Sequence, residues 1–169
     1  MRASTALRLP VLCLLAAGIG FFAYRGLAPG PSPQAPVLHF TDLDGKPRQL
    51  SEWRGRPVLI NFWATWCAPC LKEIPMLIQA QTELADTGLM ILGPAVDEAE
   101  PVRHFHAERN LNYPVFVGAD QAIVAMDALG DTRGALPLSV FISPDGKIVA
   151  RHSGVLSREQ LESWLERYR

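Results

Sequence analysis

The stretch NFWATWCAPCLKEIP, from Asn61 to Pro75, places two cysteines immediately after a run of bulky apolar residues. The residues PVLINF, 57–62, form a continuous apolar run of strand length, which is typical of a strand buried on both faces. Behind the cysteines, apolar residues recur at the spacing of a helix, at Leu71, Ile74, Leu77, Ile78 and Leu84. The pair Cys67 and Cys70 is therefore predicted to lie where a buried strand passes into a helix.

The rest of the chain alternates between strand and helix patterns, which predicts an α/β fold. The predicted elements are a hairpin over 37–50, strands over 89–96, 113–118 and 139–143, helices over 100–110 and 122–129, and a hairpin partner over 147–152. Glycines at 88 and 130 are expected to end two of the helices. Ser157 and Gln160 have the spacing of a capping box, which predicts the start of a last helix.

Four roles are open to the cysteine pair, and the surrounding residues argue against three of them. A structural zinc site needs four ligands, but Cys13 lies far away in an apolar N-terminal segment and the four histidines show no ligand spacing to the pair. Covalent haem attachment needs a histidine directly after the second cysteine, where this chain has Leu71. A purely structural disulfide over so short a loop would restrict the unfolded chain little. A redox pair remains, and we expect neither a metal nor a bound cofactor.

The start of a helix suits such a redox pair. Free N–H groups and the helix dipole present partial positive charge there, which stabilises a thiolate. Cys67 would lie at this terminus and Cys70 one turn deeper, while Pro69 lacks an N–H that the first turn does not use. We therefore assign Cys67 as the nucleophile and Cys70 as the resolving thiol.

Charge is unevenly distributed along the 169 residues, whose formal net charge is −1. Residues 1–36 hold three arginines and no acidic residue, which leaves 13 basic against 17 acidic residues in the remainder. A nucleic-acid-binding protein would carry a basic stripe, which this composition lacks. We therefore expect no nucleic-acid partner.

The N-terminal segment points to export. Arg2 and Arg8 precede LPVLCLLAAGIGFFAY, residues 9–24, which is longer than most signal-peptide cores and shorter than most spanning helices. We favour an uncleaved anchor over residues 1–27, with the basic end inside the cell and the domain on the periplasmic side of the inner membrane. A cleaved leader is the alternative. Residues 28–36 contain four prolines, which predicts a stiff linker, and the domain is expected to span 37–169.

The segment FWATWCAPCLKEIP resembles the exported thiol–disulfide oxidoreductases of the TlpA/ResA type. The flanking sequences FTDLDGKPRQLSEWRGRPVLINF and FISPDGKIVARHSG match the same family, so that the resemblance covers about residues 37–169. Glu73 and Pro75 are typical of this branch. The resemblance implies a thioredoxin-like fold with a central mixed sheet flanked by helices, an N-terminal β-hairpin addition and a central αβ insertion.

The family also has a cis-proline next to its cysteines, which the resemblance places at Pro137 in GALPLSVFI. It implies that Leu136 pairs its backbone with a bound peptide, and that Trp66, Ala68 and Pro69 line the same surface. A trans proline opening a strand is the alternative at this position. Many members have two threonines after the proline, where this chain has Leu138 and Ser139, so the substrate preference does not follow from the family.

An acid that assists proton transfer at the buried cysteine is a further feature of such proteins. Thioredoxin has its buried acid where this chain has Asn61, whereas the exported branch is expected to use an acid at the end of the second buried strand. That position offers Asp97 and Glu98, and spacing does not decide between them. We favour Glu98; the alternative is that both are solvated acids at a helix start, with Asp97 as a cap.

The predicted function is reduction of disulfides in exported cysteine-containing proteins by a membrane-tethered, monomeric oxidoreductase, which a membrane thiol-reducing donor recharges. A dedicated reductase for cytochrome c maturation is one alternative, although the chain lacks a glutamate after Pro137. A Cu(I)-handling module for oxidase assembly is another, because two cysteine sulfurs can bind Cu(I). A thiol peroxidase is a weaker alternative, since the sequence WCAPC does not match that motif.

Overall fold

The computed structural model describes residues 33–131 and 133–168. Its strands are β1 (His39–Asp42), β2 (Pro47–Gln49), β3 (Val58–Phe62), β4 (Met90–Pro94), β5 (Val115–Val117), β6 (Leu138–Ile142) and β7 (Ile148–Ser153). Its α-helices are α1 (Ala68–Glu83), α2 (Ala99–Arg109), α3 (Ala119–Ala128) and α4 (Arg158–Glu166).

The seven strands form one mixed sheet in the order β2-β1-β5-β4-β3-β6-β7. Strands β3, β4 and β5 are parallel, and the remaining neighbours are antiparallel. The hairpin β1–β2 extends one edge, and the unit α2–β5 is inserted between β4 and α3. This architecture confirms the predicted α/β fold with its N-terminal hairpin and central αβ insertion.

Alternation along the central strands divides the core between the two faces of the sheet. Leu59 and Trp63 face the cluster that includes α1, α2 and α4, whereas Ile60 and Phe62 face the cluster beneath α3. Every residue of β3 and of β6 is buried, as expected for central strands covered by helices on both sides.

The predicted helix boundaries follow from local chemistry. After α1, a short 3₁₀ turn over Ala85–Thr87 ends at Gly88, whose φ of 78° is readily available only to glycine. The Ser157 side chain accepts from the Gln160 N–H at 3.2 Å, and Gln160 Oε1 accepts from the Ser157 N–H at 3.1 Å. The capping box predicted at the start of α4 is thus present.

The first described residues, 33–35, pair with the turn between β6 and β7. The Ala35 N–H donates to the Gly146 carbonyl and the Ile148 N–H donates to the Pro33 carbonyl, both at 2.9 Å. The last part of the predicted linker is therefore held against the β6–β7 turn, because its backbone finds partners there. The predicted anchor over residues 1–27 lies outside the described residues. Among the helices that the structure describes, none is both long and apolar enough to cross a membrane.

Candidate active site

The cysteine pair lies at the N-terminus of α1. Cys67 is the N-cap residue, with φ −85° and ψ 94°, and its Sγ accepts from the Cys70 N–H at 3.3 Å. Ala68 and Pro69 occupy the first two helical positions, where a missing N–H leaves no intrahelical bond unmade. The strand-to-helix passage predicted from the apolar patterns is therefore the place where the sulfurs sit.

Cys67 and Cys70 form a disulfide, with Cα atoms 5.3 Å apart. Cys70 is completely buried, whereas Cys67 keeps 5 % of its surface exposed. A reactant that approaches from solvent meets Cys67 first. The buried sulfur can react only with its neighbour or with a group already bound to it.

The residues next to Cys67 in sequence form an exposed apolar rim, which consists of Trp66, Ala68 and Pro69. Trp66, directly before Cys67, has 67 % of its surface exposed, and Ala68 and Pro69 are also exposed. Trp63, three residues earlier, is fully buried, and its indole N–H donates to the Gly93 carbonyl at 3.2 Å. Trp63 is therefore part of the core, whereas Trp66 belongs to the surface.

Pro137 comes to the same end of the sheet as the cysteine loop. Strand β6 begins at Leu138, which pairs with Phe62, the last residue of β3. The Leu136–Pro137 peptide bond is cis, and the Pro137 carbonyl accepts from the Gly154 N–H at 2.8 Å. Leu136 is half-buried, whereas Pro137 is buried.

The structure brings Asp97, not Glu98, to the cysteine loop. Trp63 and Ala95 form a parallel bridge, so that residues two positions further along each segment meet. Asp97 Oδ2 accepts from the Thr65 N–H at 2.9 Å and from the Thr65 hydroxyl at 2.6 Å. Side chains alternate along an extended chain, so Glu98 points elsewhere and is exposed. Asp97 therefore lies beside the residue two positions before Cys67, and the role of Glu98 or Asp97 in proton transfer stays a prediction.

Sequence reasoning placed no buried acid at Glu73, which is 1 % exposed. Its Oε1 accepts from Asn61 Nδ2 at 2.7 Å, and its Oε2 accepts from the Leu156 N–H at 2.7 Å. Asn61 Nδ2 also donates to the Ser139 hydroxyl at 3.1 Å. Asn61 on β3 thus contributes an amide to this buried group, and Glu73 on α1 contributes a carboxylate. Along α1, Glu73 lies one turn beyond Cys70.

Burial raises the pKa of Glu73 above its ordinary value. The Leu156 N–H, the Asn61 amide and His152 act in the opposite direction, but the loss of solvation is the larger effect. A raised pKa means that Glu73 keeps its proton to a higher pH than an exposed glutamate does. One sequence signal could have revealed it, because Glu73 occupies the apolar stripe that Cys70, Ile74 and Leu77 define.

Within residues 33–131 and 133–168, no group of three or more histidine, cysteine or acidic side chains converges as a metal site. The site that the described residues form consists of the two sulfurs, the buried carboxyl group of Glu73 and the exposed Trp66, Ala68 and Pro69.

Comparison with known proteins gives consistent matches. Residues 31–151 match the AhpC/TSA family. The chain is 32 % identical over 166 residues to the thiol-disulfide oxidoreductase ResA of Bacillus cereus, covering 95 % of this chain and 94 % of that protein. It is 28 % identical to the protein of the same name in Bacillus subtilis, covering 94 % and 90 % of the two chains. A thioredoxin-family thiol:disulfide interchange protein of Chlorobium tepidum superposes with a TM-score of 0.73 at 26 % identity, covering 83 % of this chain and 99 % of that one.

The mixed sheet, the helix that begins at Cys67 and the Cys-x-x-Cys disulfide define a thioredoxin-like protein-disulfide oxidoreductase. Within that class, the chain belongs to the ResA/TlpA-like family of thiol–disulfide oxidoreductases. Its reaction partners are accordingly proteins that contain cysteine.

Proposed function

We propose that this protein reduces disulfide bonds in exported proteins, on the outer side of a membrane to which its N-terminal segment tethers it. The observation that carries the proposal is the disulfide between a solvent-reachable Cys67 at the start of α1 and a fully buried Cys70. This arrangement fits a nucleophile that meets the client and a second thiol that releases it.

The proposed reaction transfers two electrons to the client. The Cys67 thiolate attacks one sulfur of the client disulfide, which forms a mixed disulfide and expels the other client sulfur as a thiolate. The Cys70 thiolate then attacks Cys67 Sγ, which expels the second client thiolate and forms the Cys67–Cys70 disulfide. A membrane dithiol donor reduces this disulfide again, so the cycle balances.

In this cycle Glu73 replaces Asp97 and Glu98 as the acid that exchanges a proton with Cys70. Glu73 is buried one turn beyond Cys70, and burial raises its pKa, so that it can bind a proton in a range where an exposed glutamate would not. Asp97 instead holds the loop that precedes Cys67, through its two bonds to Thr65.

The direction of electron flow can be measured as a reduction potential. We expect a value near that of thioredoxin, about −270 mV, and far from the strongly oxidising value of about −120 mV. The measurement is equilibration of the Cys67–Cys70 couple with glutathione or dithiothreitol buffers. A potential well above about −150 mV would make the protein a disulfide donor and overturn the proposed direction.

The clients can be captured with a Cys70→Ser variant, in which the mixed disulfide on Cys67 is not resolved. We expect this variant to retain exported proteins through a bond that reductant breaks, and Cys67→Ser, the matched control, to retain none. If Cys67 in the Cys70→Ser variant reacts with an alkylating reagent but captures nothing from an exported-protein extract, the assignment of roles is wrong.

The identity of the proteins that the Cys70→Ser variant captures also distinguishes a general reductase of exported proteins from a reductase dedicated to cytochrome c maturation. Several unrelated exported proteins are expected, because Leu138 rather than a glutamate follows Pro137. Capture of apocytochrome c alone would favour the dedicated role. Titration of the reduced protein with Cu(I) tests the copper alternative, which tight stoichiometric binding in the presence of glutathione would support.

Tethering is tested by fractionation of cells that express the full chain. We expect the full chain in the membrane fraction, and an exported form without residues 1–32 in the soluble extracytoplasmic fraction. If the protein recovered from cells that express the full chain has a mass that shows removal of the leader, the cleaved alternative is supported instead.

A further inference from the structure

A groove of about 200 Å³ lies between α1 and α2 on the surface of the domain. Its lining consists of Leu71, Ile74, Pro75 and Ile78 from α1 and of Phe105 and Arg109 from α2. Ile74 is buried and forms the floor, whereas Pro75 and Arg109 are exposed at the rim. The groove is therefore apolar along its length, with one guanidinium group at its edge.

Cys67 lies in line with this groove. The Leu71 N–H donates to the Cys67 carbonyl at 3.1 Å, so Leu71 follows Cys67 by one turn on the same side of α1. Ile74 and Ile78 continue this side at helical spacing, and Ile78 lies about 16 Å along the helix axis from Cys67. Glu73, two residues after Leu71, points to the other side of the helix. A polypeptide joined to Cys67 can thus continue along this side of α1 into the groove.

The two walls of the groove are held together at its base and at its far end. The Phe105 ring packs against the buried Trp63 ring, with the ring centroids 5.1 Å apart. Asn112, which follows α2, donates through Nδ2 to the Ile78 carbonyl at 3.0 Å and to the Thr82 hydroxyl at 2.9 Å. The groove is therefore preformed, and binding in it costs little ordering of the protein.

Positive charge borders the groove. The Arg109 guanidinium carbon lies 5.6 Å from the centroid of the Phe105 ring, and Arg109 Nε lies 3.7 Å from Glu108 Oε1. A guanidinium has five N–H groups, so several remain for a partner beside Glu108. At the end nearer to the cysteines, Lys72 follows Leu71 and is exposed. An apolar segment that carries an acidic residue complements this surface better than one that carries a basic residue.

We propose that this groove binds a segment of the client protein that has an apolar residue about three positions from the reacting cysteine and an acidic residue about five positions from it. This inference rests on the proposed function, because the client enters the groove from Cys67. Ile74 lies about 10 Å and Ile78 about 16 Å along α1 from Cys67, and an extended client advances about 3.3 Å per residue. The groove therefore strengthens binding of the client, while the exchange between the sulfurs keeps its rate.

The test uses the full chain, reduced with dithiothreitol and then freed of it, against peptides whose single cysteine is joined to thionitrobenzoate. The first peptide has leucine at the third and aspartate at the fifth position from the cysteine on both sides, so that either direction of binding is sampled. Serines replace the leucines in a second peptide, and lysines replace the aspartates in a third. Cys67 displaces thionitrobenzoate from the peptide sulfur, and Cys70 then releases the peptide thiol and forms the Cys67–Cys70 disulfide.

Single-turnover rates at increasing peptide concentration give a limiting rate and a half-saturating concentration for each peptide. We expect the first peptide to half-saturate at about one fifth of the concentration that the serine peptide needs, which corresponds to about 1 kcal/mol of apolar contact. The lysine peptide is expected to need about twice the concentration of the first peptide, and the difference should shrink at high salt. The limiting rates are expected to agree within about twofold.

Variants in the groove and matched controls outside it locate the effect. Ile78→Ser is expected to abolish the preference for leucine, whereas Ile123→Ser, at an exposed position on α3, should keep it. Arg109→Glu is expected to reverse the charge preference, so that the lysine peptide binds better than the first peptide. Arg54→Glu, exposed outside the groove, should leave that preference unchanged. Ellman's reagent is too small to reach the groove, and its rate is expected to stay within about twofold in all four variants.

The inference is overturned if the unsubstituted protein does not distinguish leucine from serine, if Ile78→Ser keeps the preference, or if Arg109→Glu fails to reverse the charge preference. It is also overturned if Ile78→Ser changes only the sedimentation of the protein, since the groove then holds a second copy of the chain. In each of these outcomes the protein still reacts with Ellman's reagent, so the proposed chemistry stands. A reduced protein that reacts with neither Ellman's reagent nor any peptide overturns the proposed function and this inference together.

Discussion

Glu73 and Asp97 both hold a segment beside the cysteine pair, but they do so in different surroundings. Glu73 is shielded from solvent, and each of its oxygens accepts from a buried donor, one on Asn61 and one on the Leu156 backbone. Asp97 is half-buried and accepts from the backbone and hydroxyl of Thr65. Asp97 also accepts from the Glu98 N–H at 2.8 Å, so it accepts one more hydrogen bond than Glu73 does. We nevertheless expect Glu73 to stabilise the fold more, because water can replace only the partner that it can reach.

The largest expected effect is that of Glu73→Ala on stability. The substitution leaves one of the two N–H groups of the Asn61 amide and the Leu156 N–H without an acceptor in the core, and we expect the free energy of unfolding to fall by about 3 kcal/mol. Urea unfolding of the oxidised protein measures it. A loss no larger than that of Asp97→Ala would break the distinction between the two acids.

The pH dependence of stability sharpens the same comparison. Burial raises the pKa of Glu73 above its ordinary value of 4.5, so the folded protein holds this proton more tightly than the unfolded chain does. Its stabilising contribution is complete below about pH 4.5 and is lost as the pH rises through the raised pKa. Glu73→Gln mimics the protonated form throughout, so the parent is expected to lose stability relative to this variant as the pH rises.

Urea unfolding of the oxidised parent and Glu73→Gln proteins across this pH range measures the difference. Glu166→Gln, at an exposed position on α4, is the control and is expected to give a constant difference from the parent. A constant difference for Glu73→Gln as well would show that burial does not shift the titration of Glu73.

Asp97→Ala is expected to have a smaller effect, a loss of about 1 kcal/mol, because water can reach the Thr65 groups that it frees. Exchange with a peptide disulfide should slow by about twofold to fivefold, since the loop before Cys67 is less well held. Thr65→Val removes only the hydroxyl bond and should give part of both losses. No change in either variant would show that the loop holds its position without Asp97.

The smallest expected effect is that of Ser139→Ala. Asn61 Nδ2 then loses the Ser139 oxygen but keeps Glu73, so we expect the free energy of unfolding to fall by less than about 1 kcal/mol. The same urea experiment measures it. A loss as large as that of Glu73→Ala would mean that the serine, not the carboxylate, anchors this buried group.

Local patterns were sufficient to predict the α/β class and the position of the cysteines at a helix start, whereas the thioredoxin-like topology was implied by the family resemblance. The apolar run of β3, the helical spacing after Cys70 and the capping box at Ser157 each depend on residues close in sequence, and each element formed where predicted. The passage from strand to helix placed Cys67 at a helix start for the same reason.

What the sequence did not reveal depends on contacts between distant residues. Glu73 meets Leu156 across a separation of 83 residues, and Asp97 meets Thr65 across 32. The choice between Asp97 and Glu98 depended on the register in which Trp63 faces Ala95, which no local pattern fixes. The bonds of Ala35 with Gly146 and of Pro33 with Ile148 likewise join residues that are far apart in sequence.

The pairing of residues 33–35 with the β6–β7 turn has a geometric consequence. Strand β6 starts at Leu138 beside the cysteine loop and ends at Ile142, just before that turn. Residues 33–35 therefore lie at the end of the sheet opposite to Cys67. A substitution or a label placed in residues 33–35 is therefore expected to leave the surroundings of the reactive sulfur unchanged.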